Sequence, residues 1–252
     1  MTSSTNSLAA EPLPSVKTLP VCYTSLTPLV PQRHSAIRYT RPAAYRFASE
    51  VNAVPALAEE FPSAQNSCPI VFTRGERPRP VLLLGAEKGR NALMSEDGIW
   101  KAGLHVPSFL RRHPFMLVRE SATGERMLLC ADLAADGFSE DKGDALFDDG
   151  KPTETMNRVL KYCEHYEQAQ LRTDALVSEL ITRDLFQEAT VTMRSEDSSR
   201  KIDGFQTISE ERFKALDDAT LADFVRRGIV GLVSAHWSSI SRFQSITEGT
   251  GA

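Results

Sequence analysis

"GKPTETMNRVLKYCEHYEQAQLRTDALVSELITRDLF", residues 150 to 186, decides between an all-β chain and a mixed one. Gly150, Pro152 and Thr153 ahead of the acidic Glu154 form a helix-start signal. Proline is tolerated in a first helical turn, and a carboxylate there complements the positive end of the helix dipole. Met156, Val159, Leu160, Cys163 and Tyr166 then recur at the helical period and make one apolar stripe. The pattern predicts a helix running to about Arg183, with room for a break between Leu171 and Thr173.

Upstream of that helix the text changes character. "CPIVFTRG" (68 to 75) and "RPVLLLGA" (79 to 86) are β-branched or leucine-rich runs around a Gly/Pro/charge segment, which predicts an antiparallel hairpin. Asp97-Gly98 is a tight-turn dipeptide between short strands, and Ala122-Thr123-Gly124 separates two apolar runs in "FMLVRESATGERMLLCAD" (115 to 132). That makes about six closely spaced strands, too many for a helical domain. "YRFASEVNAVPALAEEFPSA" (45 to 64) has apolar residues at mostly helical spacing, but Pro55 and Pro62 limit it to short helical pieces.

Beyond the long helix, "ATVTMRS" and "KIDGFQTIS" predict a hairpin around "EDSSR". A helix follows from Ser209, an N-cap residue with Glu210 and Glu211 behind it, to Gly228. "IVGLVSAHWSSISRF" (229 to 243) could be strand or helix, since periodicity does not decide, and helix is the preferred reading. The fold class is therefore α+β: an antiparallel β-rich N-terminal half, then a long helix with helix and hairpin elements. One domain is expected over residues 21–246, after a tail of Ser, Thr, Ala and Pro at 1–20 and before a flexible end at 247–252.

Composition excludes several classes of function. With 29 Lys and Arg against 33 Asp and Glu, the net charge of -4 argues against a chain that neutralises phosphates, so no nucleic-acid partner is expected. "PVLLLGA" falls far short of the about 20 apolar residues that span a bilayer, so no transmembrane segment is expected. The start of the chain has no apolar run of signal-peptide length, which makes the expected location cytoplasmic. Cys22, Cys68, Cys130 and Cys163 show neither a C-x-x-C pair nor zinc-finger spacing, and are expected as buried thiols.

No stretch carries a complete catalytic motif. "LLLGAEKGRNAL" lacks both phosphate-loop signatures, "DGFSEDKGDALFDDG" lacks the calcium-loop register, and there is no G-x-S-x-G elbow. No cofactor and no metal are assigned. In "HVPSFLRRHPFMLV" (105 to 118), Pro107 suits the start of a short helix and Pro114 ends it where a strand begins, so the stretch reads first as a junction. Arg111 and Arg112 could grip an acidic peptide or phosphate, although arginines at a helix end also complement its dipole. Cys163 and His165, two apart on a helix, point to nearly opposite faces and cannot pair. His236-Trp237 could be a binding pair, against the plainer reading of a satisfied buried histidine beside a core tryptophan.

Seven segments taken together carry a family resemblance. They are "HSAIR" (34 to 38), "YRFASEVNAVPALAEEFPSAQNSCPIVF" (45 to 72), "PVLLLG" (80 to 85), "DGIWKAGLHVPSFLRRHPFML" (97 to 117), "LFDDGKPT" (146 to 153), "DGFQTI" (203 to 208) and "SAHWSSISRF" (234 to 243). In this order, over residues 23 to 245, they resemble the bacterial SapC family, which is distinct from the similarly named peptide-transport permease. His113 stands where the family pattern has Tyr before Pro-Phe. The resemblance implies a surface-layer association and a setting beside TonB-dependent receptors, halogenase-like flavoproteins and cupin-like oxygenases. It carries over no catalytic residue.

Two functions are expected from this reading. The first is a non-enzymatic cytoplasmic accessory protein that binds a protein or peptide partner through Arg111, Arg112, His236 and Trp237, in a surface-layer, outer-membrane uptake or secretion-linked system. The second is a metal- or cofactor-dependent enzyme acting with neighbouring oxygenase- or halogenase-like proteins on a peptide or small molecule. It requires three of His34, His105, His113, His165 and His236 to converge on one point.

Overall fold

The computed structural model describes residues 18–120, 125–194 and 199–247. Residues 1–17 of the expected tail, the Ala122-Thr123-Gly124 turn, residues 196–198 of the "EDSSR" turn and the end of the chain from residue 248 lie outside the described residues. The fold is α+β, as the sequence predicts, and every described strand pair is antiparallel. It divides into two compact units, each built from two separate pieces of chain: residues up to Pro42 with His113–Glu164, and Ala43–Arg112 with the residues from His165 onward.

The first unit holds a three-stranded sheet with Met127–Ala131 between Thr27–Pro28 and Phe115–Arg119. A second small sheet places Arg38–Tyr39 between Phe138–Ser139 and Asp144–Ala145. Gly137 and Gly143, at φ +102° and +98°, let the backbone pass close over Tyr39 and Thr40, where any Cβ would collide. The core gathers Leu29, Tyr39, Phe115, Leu117, Leu146 and Phe147, and the first turns of the long helix add Met156 and Cys163. These are the residues whose helical spacing was legible in the sequence.

That helix, Glu154–Thr182, runs for 29 residues without the break allowed for at 171–173. The Thr153 hydroxyl accepts the Met156 N–H at its start. At its end Asp184 sits at φ +51°, the Asp184 N–H returns to the Ile181 carbonyl and the Leu185 N–H to the Leu180 carbonyl. This left-handed exit satisfies carbonyls that would otherwise be orphaned.

The second unit is built on a five-stranded sheet in the order Phe186–Arg194, Ser199–Ile208, Ile70–Thr73, Pro80–Leu83, Ala53–Pro55. Ile70, Val71 and Phe72 are all buried, so this middle strand is covered on both faces and reads as a continuous apolar run. Tyr166, Ala169, Thr173, Leu176, Val177 and Leu180 continue the buried stripe of the long helix.

The stretch from Tyr45 differs from its expected helical pieces. It forms one-turn helices at Arg46–Ala48 and Ala58–Glu60, a helix at Phe61–Ala64, and, between them, the edge strand Ala53–Pro55. Pro55 cannot donate to a ladder, which confines it to an edge. The helix expected over 209–228 is two helices, Glu210–Lys214 and Asp218–Arg226. Asp217 caps the second by accepting the Thr220 N–H, and a capping side chain inside a helical pattern starts a new helix. Ile229–Ser239 is helical, as expected.

Candidate functional site

The stretch 105–118 is a junction in the fold as in the sequence: Ser108–Arg112 is one short helix and Phe115–Arg119 a strand. Its first histidine is organised by a residue the sequence reading passed over. Glu60 is buried, its Oε1 accepts the Leu57 N–H at 2.8 Å, and its Oε2 accepts the Ser108 N–H at 2.9 Å and meets His105 Nε2 at 2.8 Å. The His105 N–H in turn donates to Ser67 Oγ at 2.8 Å. A carboxylate at Nε2 keeps a proton on that nitrogen and fixes the orientation of the ring.

Arg111 and Arg112 share the short helix but not a surface. Arg112 is 5% exposed, with its guanidinium 4.0 Å from the centre of the Tyr166 ring and 5.3 Å from that of Phe109, and it pairs with Glu167 at 3.2 Å. A flat cation against an aromatic face is a packing element as much as a charge. Arg111 is half-buried and donates to the Ser108 hydroxyl at 2.8 Å.

His236 and Trp237 are brought together on one backbone position. The ladder between Ser199–Ile208 and Ile70–Thr73 pairs Phe205 with Thr73 and Gln206 with Phe72, so Ile208 and Ile70 would face each other two residues on. There the helix Ile229–Ser239 supplies the partners instead. His236 Nε2 accepts the Ile208 N–H at 3.1 Å, and its Nδ1 donates to the Ile70 carbonyl at 2.8 Å. Trp237 donates to the Ile208 carbonyl and Ser239 accepts the Ile70 N–H. All four backbone groups of the splayed pair are thereby satisfied by three side chains of one helix. Burial pushes the His236 imidazole down to about 4 against the opposing pull of the Ile70 carbonyl, so the ring is neutral. This is the satisfied buried histidine of the plainer sequence reading.

His113, in the first unit, packs edge-on against Tyr23, 5.0 Å between ring centres. Burial pushes it down to about 4, and the Asp132 charge and a bond to the Cys22 backbone oppose this. Asp132 is buried and accepts from the Thr24 N–H and from the hydroxyls of Thr24 and Ser25. Burial opposes ionisation of Asp132, but these donors outweigh it and hold the carboxyl below its ordinary value.

His34 bonds within its own turn, to Val30. His165 is exposed and meets Glu59, which also pairs with Arg172 at 2.7 Å. Among the described residues no three His, Cys, Asp or Glu side chains are grouped so as to hold a metal ion. Cys22, Cys68, Cys130 and Cys163 form no disulfide.

Two further features belong to the second unit. The strand Phe186–Arg194 is the outermost of its sheet, with Gln187, Glu188, Thr190 and Thr192 exposed. At its root a small open cleft of about 170 Å³ is lined by Gly75, Glu76, Pro78, Ile181, Asp184, Phe186 and Gln206. Glu60, Asp132 and Ser239 could not be singled out in the sequence, because each acts on backbone groups far away in the chain.

Among the described residues no helix is long and apolar enough to cross a membrane. Neither a curated protein nor a solved structure matches the chain. The SapC family profile matches residues 29–246, most of the chain and both of its units, and the protein belongs to the SapC family.

Proposed function

We propose that the chain is a cytoplasmic accessory protein that binds a protein or peptide partner in a surface-layer, outer-membrane uptake or secretion-linked system. One observation carries the reading: Phe186–Arg194 is a nine-residue strand whose outer row of N–H and C=O groups pairs with no strand among the described residues. A free edge of this length accepts an added strand through main-chain hydrogen bonds. Exposed Glu188 and the irregularity between Ala189 and Val191 limit indiscriminate pairing, which leaves room for a specific partner. The setting is the one that the resemblance to the SapC family implies, a surface-layer association.

The test places a photo-crosslinking residue at Thr190 or Thr192 in cells that make the protein, with Leu171 on the long helix as control. The expected result is one discrete protein adduct from the strand positions and none from the control. Successive N–H groups of a strand face opposite edges, so of Val191→Pro and Thr192→Pro only one removes an outward donor. That variant loses the adduct while its thermal unfolding stays close to wild type. No adduct, together with near-stoichiometric metal or organic cofactor in protein purified without chelator, overturns the reading.

That outcome would favour the second reading, a cofactor-dependent enzyme acting with neighbouring oxygenase- or halogenase-like proteins on a peptide or small molecule. Its support is the Glu60–His105 pair, since an imidazole oriented by a carboxylate is a recurring element of acid–base sites.

A further inference from the structure

The chain holds four Asp-Gly dipeptides, at 97–98, 136–137, 149–150 and 203–204. In such a pair no side chain on the second residue bars its amide nitrogen from approaching the aspartate carboxyl. The attack needs a carboxyl that is free to swing, an amide that is not held, and a backbone that opens locally.

Three of the four pairs are held. The Gly98 N–H donates to the Ser95 carbonyl, the Asp97 carbonyl accepts from Arg46 Nε, and Gly98 lies against the Arg46 backbone and side chain. Gly137 passes so closely over Thr40 that a Cβ would stand 2.4 Å from the Thr40 carbonyl oxygen, and its own carbonyl accepts the Thr40 N–H. Asp203 lies inside Ser199–Ile208, a strand of the five-stranded sheet, and pairs with Lys201 at 3.4 Å.

Asp149-Gly150 differs on each count. Phe147–Asp148 and Lys151–Pro152 form a two-stranded sheet of their own, pairing Phe147 with Pro152 and Asp148 with Lys151. The two residues between them sit at φ +45° and +73°, the left-handed pair that a two-residue hairpin turn demands and that Asp-Gly supplies. An isolated hairpin is marginal in water, and one with two residues in each strand opens readily. Asp149 and Gly150 are exposed, and open space surrounds Gly150. Among the described residues the Asp149 carboxylate joins no hydrogen bond or ion pair, and the Gly150 N–H makes no backbone hydrogen bond.

We propose that Asp149 is a site of spontaneous isoaspartate formation. The lone pair of the Gly150 nitrogen attacks Cγ of the neutral Asp149 carboxyl, and the hydroxyl leaves with the amide proton as water, closing a five-membered succinimide. Water then adds to the imide carbonyl that had been the Asp149 backbone carbonyl. The bond from that carbon to the Gly150 nitrogen breaks, so the chain continues through Cγ with a free α-carboxylate beside it. One water is lost and one regained, and the product is an isomer. The backbone is then one carbon longer in a turn whose length sets the register of its strands. The pairing of Asp148 with Lys151 is lost, and the disturbance reaches Thr153, whose N–H bonds the Leu146 carbonyl and whose hydroxyl accepts the Met156 N–H at the start of the long helix. The new α-carboxylate makes the aged protein a substrate for a methyltransferase that esterifies isoaspartate.

The test incubates the full-length protein in mildly acidic buffer at growth temperature. Isoaspartate is counted by methyl transfer from labelled S-adenosylmethionine with a purified isoaspartyl methyltransferase, and is located by fragmentation mass spectrometry of peptides. The 149–150 pair is expected to carry at least about tenfold more isoaspartate than any of the other three, the ratio that local opening easier by about 1.4 kcal/mol gives. In urea the four pairs should converge, because the fold makes the selection. Asp149→Glu, which would have to close a six-membered ring, abolishes the signal at this position. Asp149→Asn keeps the preferred turn and raises it, an amide losing ammonia where the acid loses water. Isomerised protein, separated from the native form, shows faster hydrogen exchange at the Met156 amide and an unchanged rate at the Ile70 amide in the second unit. No isoaspartate at 149, an even spread over the four pairs in the folded protein, or a larger amount at any other pair overturns the proposal, and an unchanged Met156 rate overturns its effect on the helix.

Discussion

Replacing His236 by Phe is the most direct trial of how the second unit is held together. Phenylalanine keeps a flat ring of similar size against Phe72, whose centre lies 5.3 Å from the imidazole, but offers neither donor nor acceptor. The Ile208 N–H and the Ile70 carbonyl then lose their partners in a site where His236 is 0% exposed. Two buried backbone groups left unsatisfied cost about 1–3 kcal/mol each, so a loss of about 4 kcal/mol is expected, a large share of the total stability of a domain. His236→Gln retains one donor and one acceptor and should lose about half as much.

Both tryptophans, Trp100 and Trp237, belong to the second unit, so urea unfolding followed by their fluorescence reports that unit selectively. Hydrogen exchange at the Ile208 amide should accelerate in step. The pH dependence gives a second reading of the same contact. An imidazole at 6.5 when unfolded and near 4 when folded binds its proton more readily in the unfolded state, so stability falls as pH drops from 6.5 towards 4. For this fully buried ring the loss amounts to about 3 kcal/mol in wild type, and the His236→Phe protein should lack that slope. Stability within about 0.5 kcal/mol of wild type, the scatter of a neutral surface change, with an unchanged pH slope and an unchanged Ile208 exchange rate, would refute the reasoning.

Arg112→Lys should cost about 1–2 kcal/mol by thermal unfolding although charge is conserved, because an ammonium group cannot lie flat on Tyr166 while pairing with Glu167. Asp132→Asn turns an NH₂ group towards the Thr24 and Ser25 donors and should cost about 2 kcal/mol, read as faster hydrogen exchange over Tyr23–Leu29. Since its folded carboxyl lies below the ordinary 3.8, wild type keeps this contribution above that pH and loses it only as pH falls further, a loss absent from the variant. Gly137→Ala would place a Cβ 2.4 Å from the Thr40 carbonyl oxygen at φ +102° and should destabilise the first unit by at least about 2 kcal/mol in urea unfolding followed by hydrogen exchange at Tyr39 and Thr40.

What could be read from the sequence was local. Met156 to Tyr166 announced the long helix because one apolar stripe repeats within it, and Ile70–Thr73 with Pro80–Leu83 announced their hairpin through apolar runs around Gly75. The edge strand Ala53–Pro55 escaped because its spacing imitates helical pieces and its pairing with Pro80–Leu83 is decided by tertiary contact. Asp217 was legible as a capping residue in principle, yet it sits inside a run whose apolar period continues past it. The pair His236-Trp237 stood out for its chemistry, whereas its job depends on where Ile70 and Ile208 lie, 166 and 28 residues away in the chain. Glu60 was hidden for the same reason: nothing near it in sequence says that His105 and Ser108 will come to its carboxylate.

The division of each unit between two pieces of chain governs how the protein can be made. The core of the first unit needs Leu29 and Tyr39 together with Met156 and Cys163, so nothing emerging early from the ribosome can close it until more than a hundred further residues have been synthesised. The second unit waits longer still, for Phe243 to stack on Phe205. Neither half of the chain, expressed by itself, contains a complete core. Nascent chains therefore carry Ile70–Thr73 without its Ser199–Ile208 neighbour for more than a hundred residues of synthesis, which makes growth temperature and chaperone supply the levers on soluble yield.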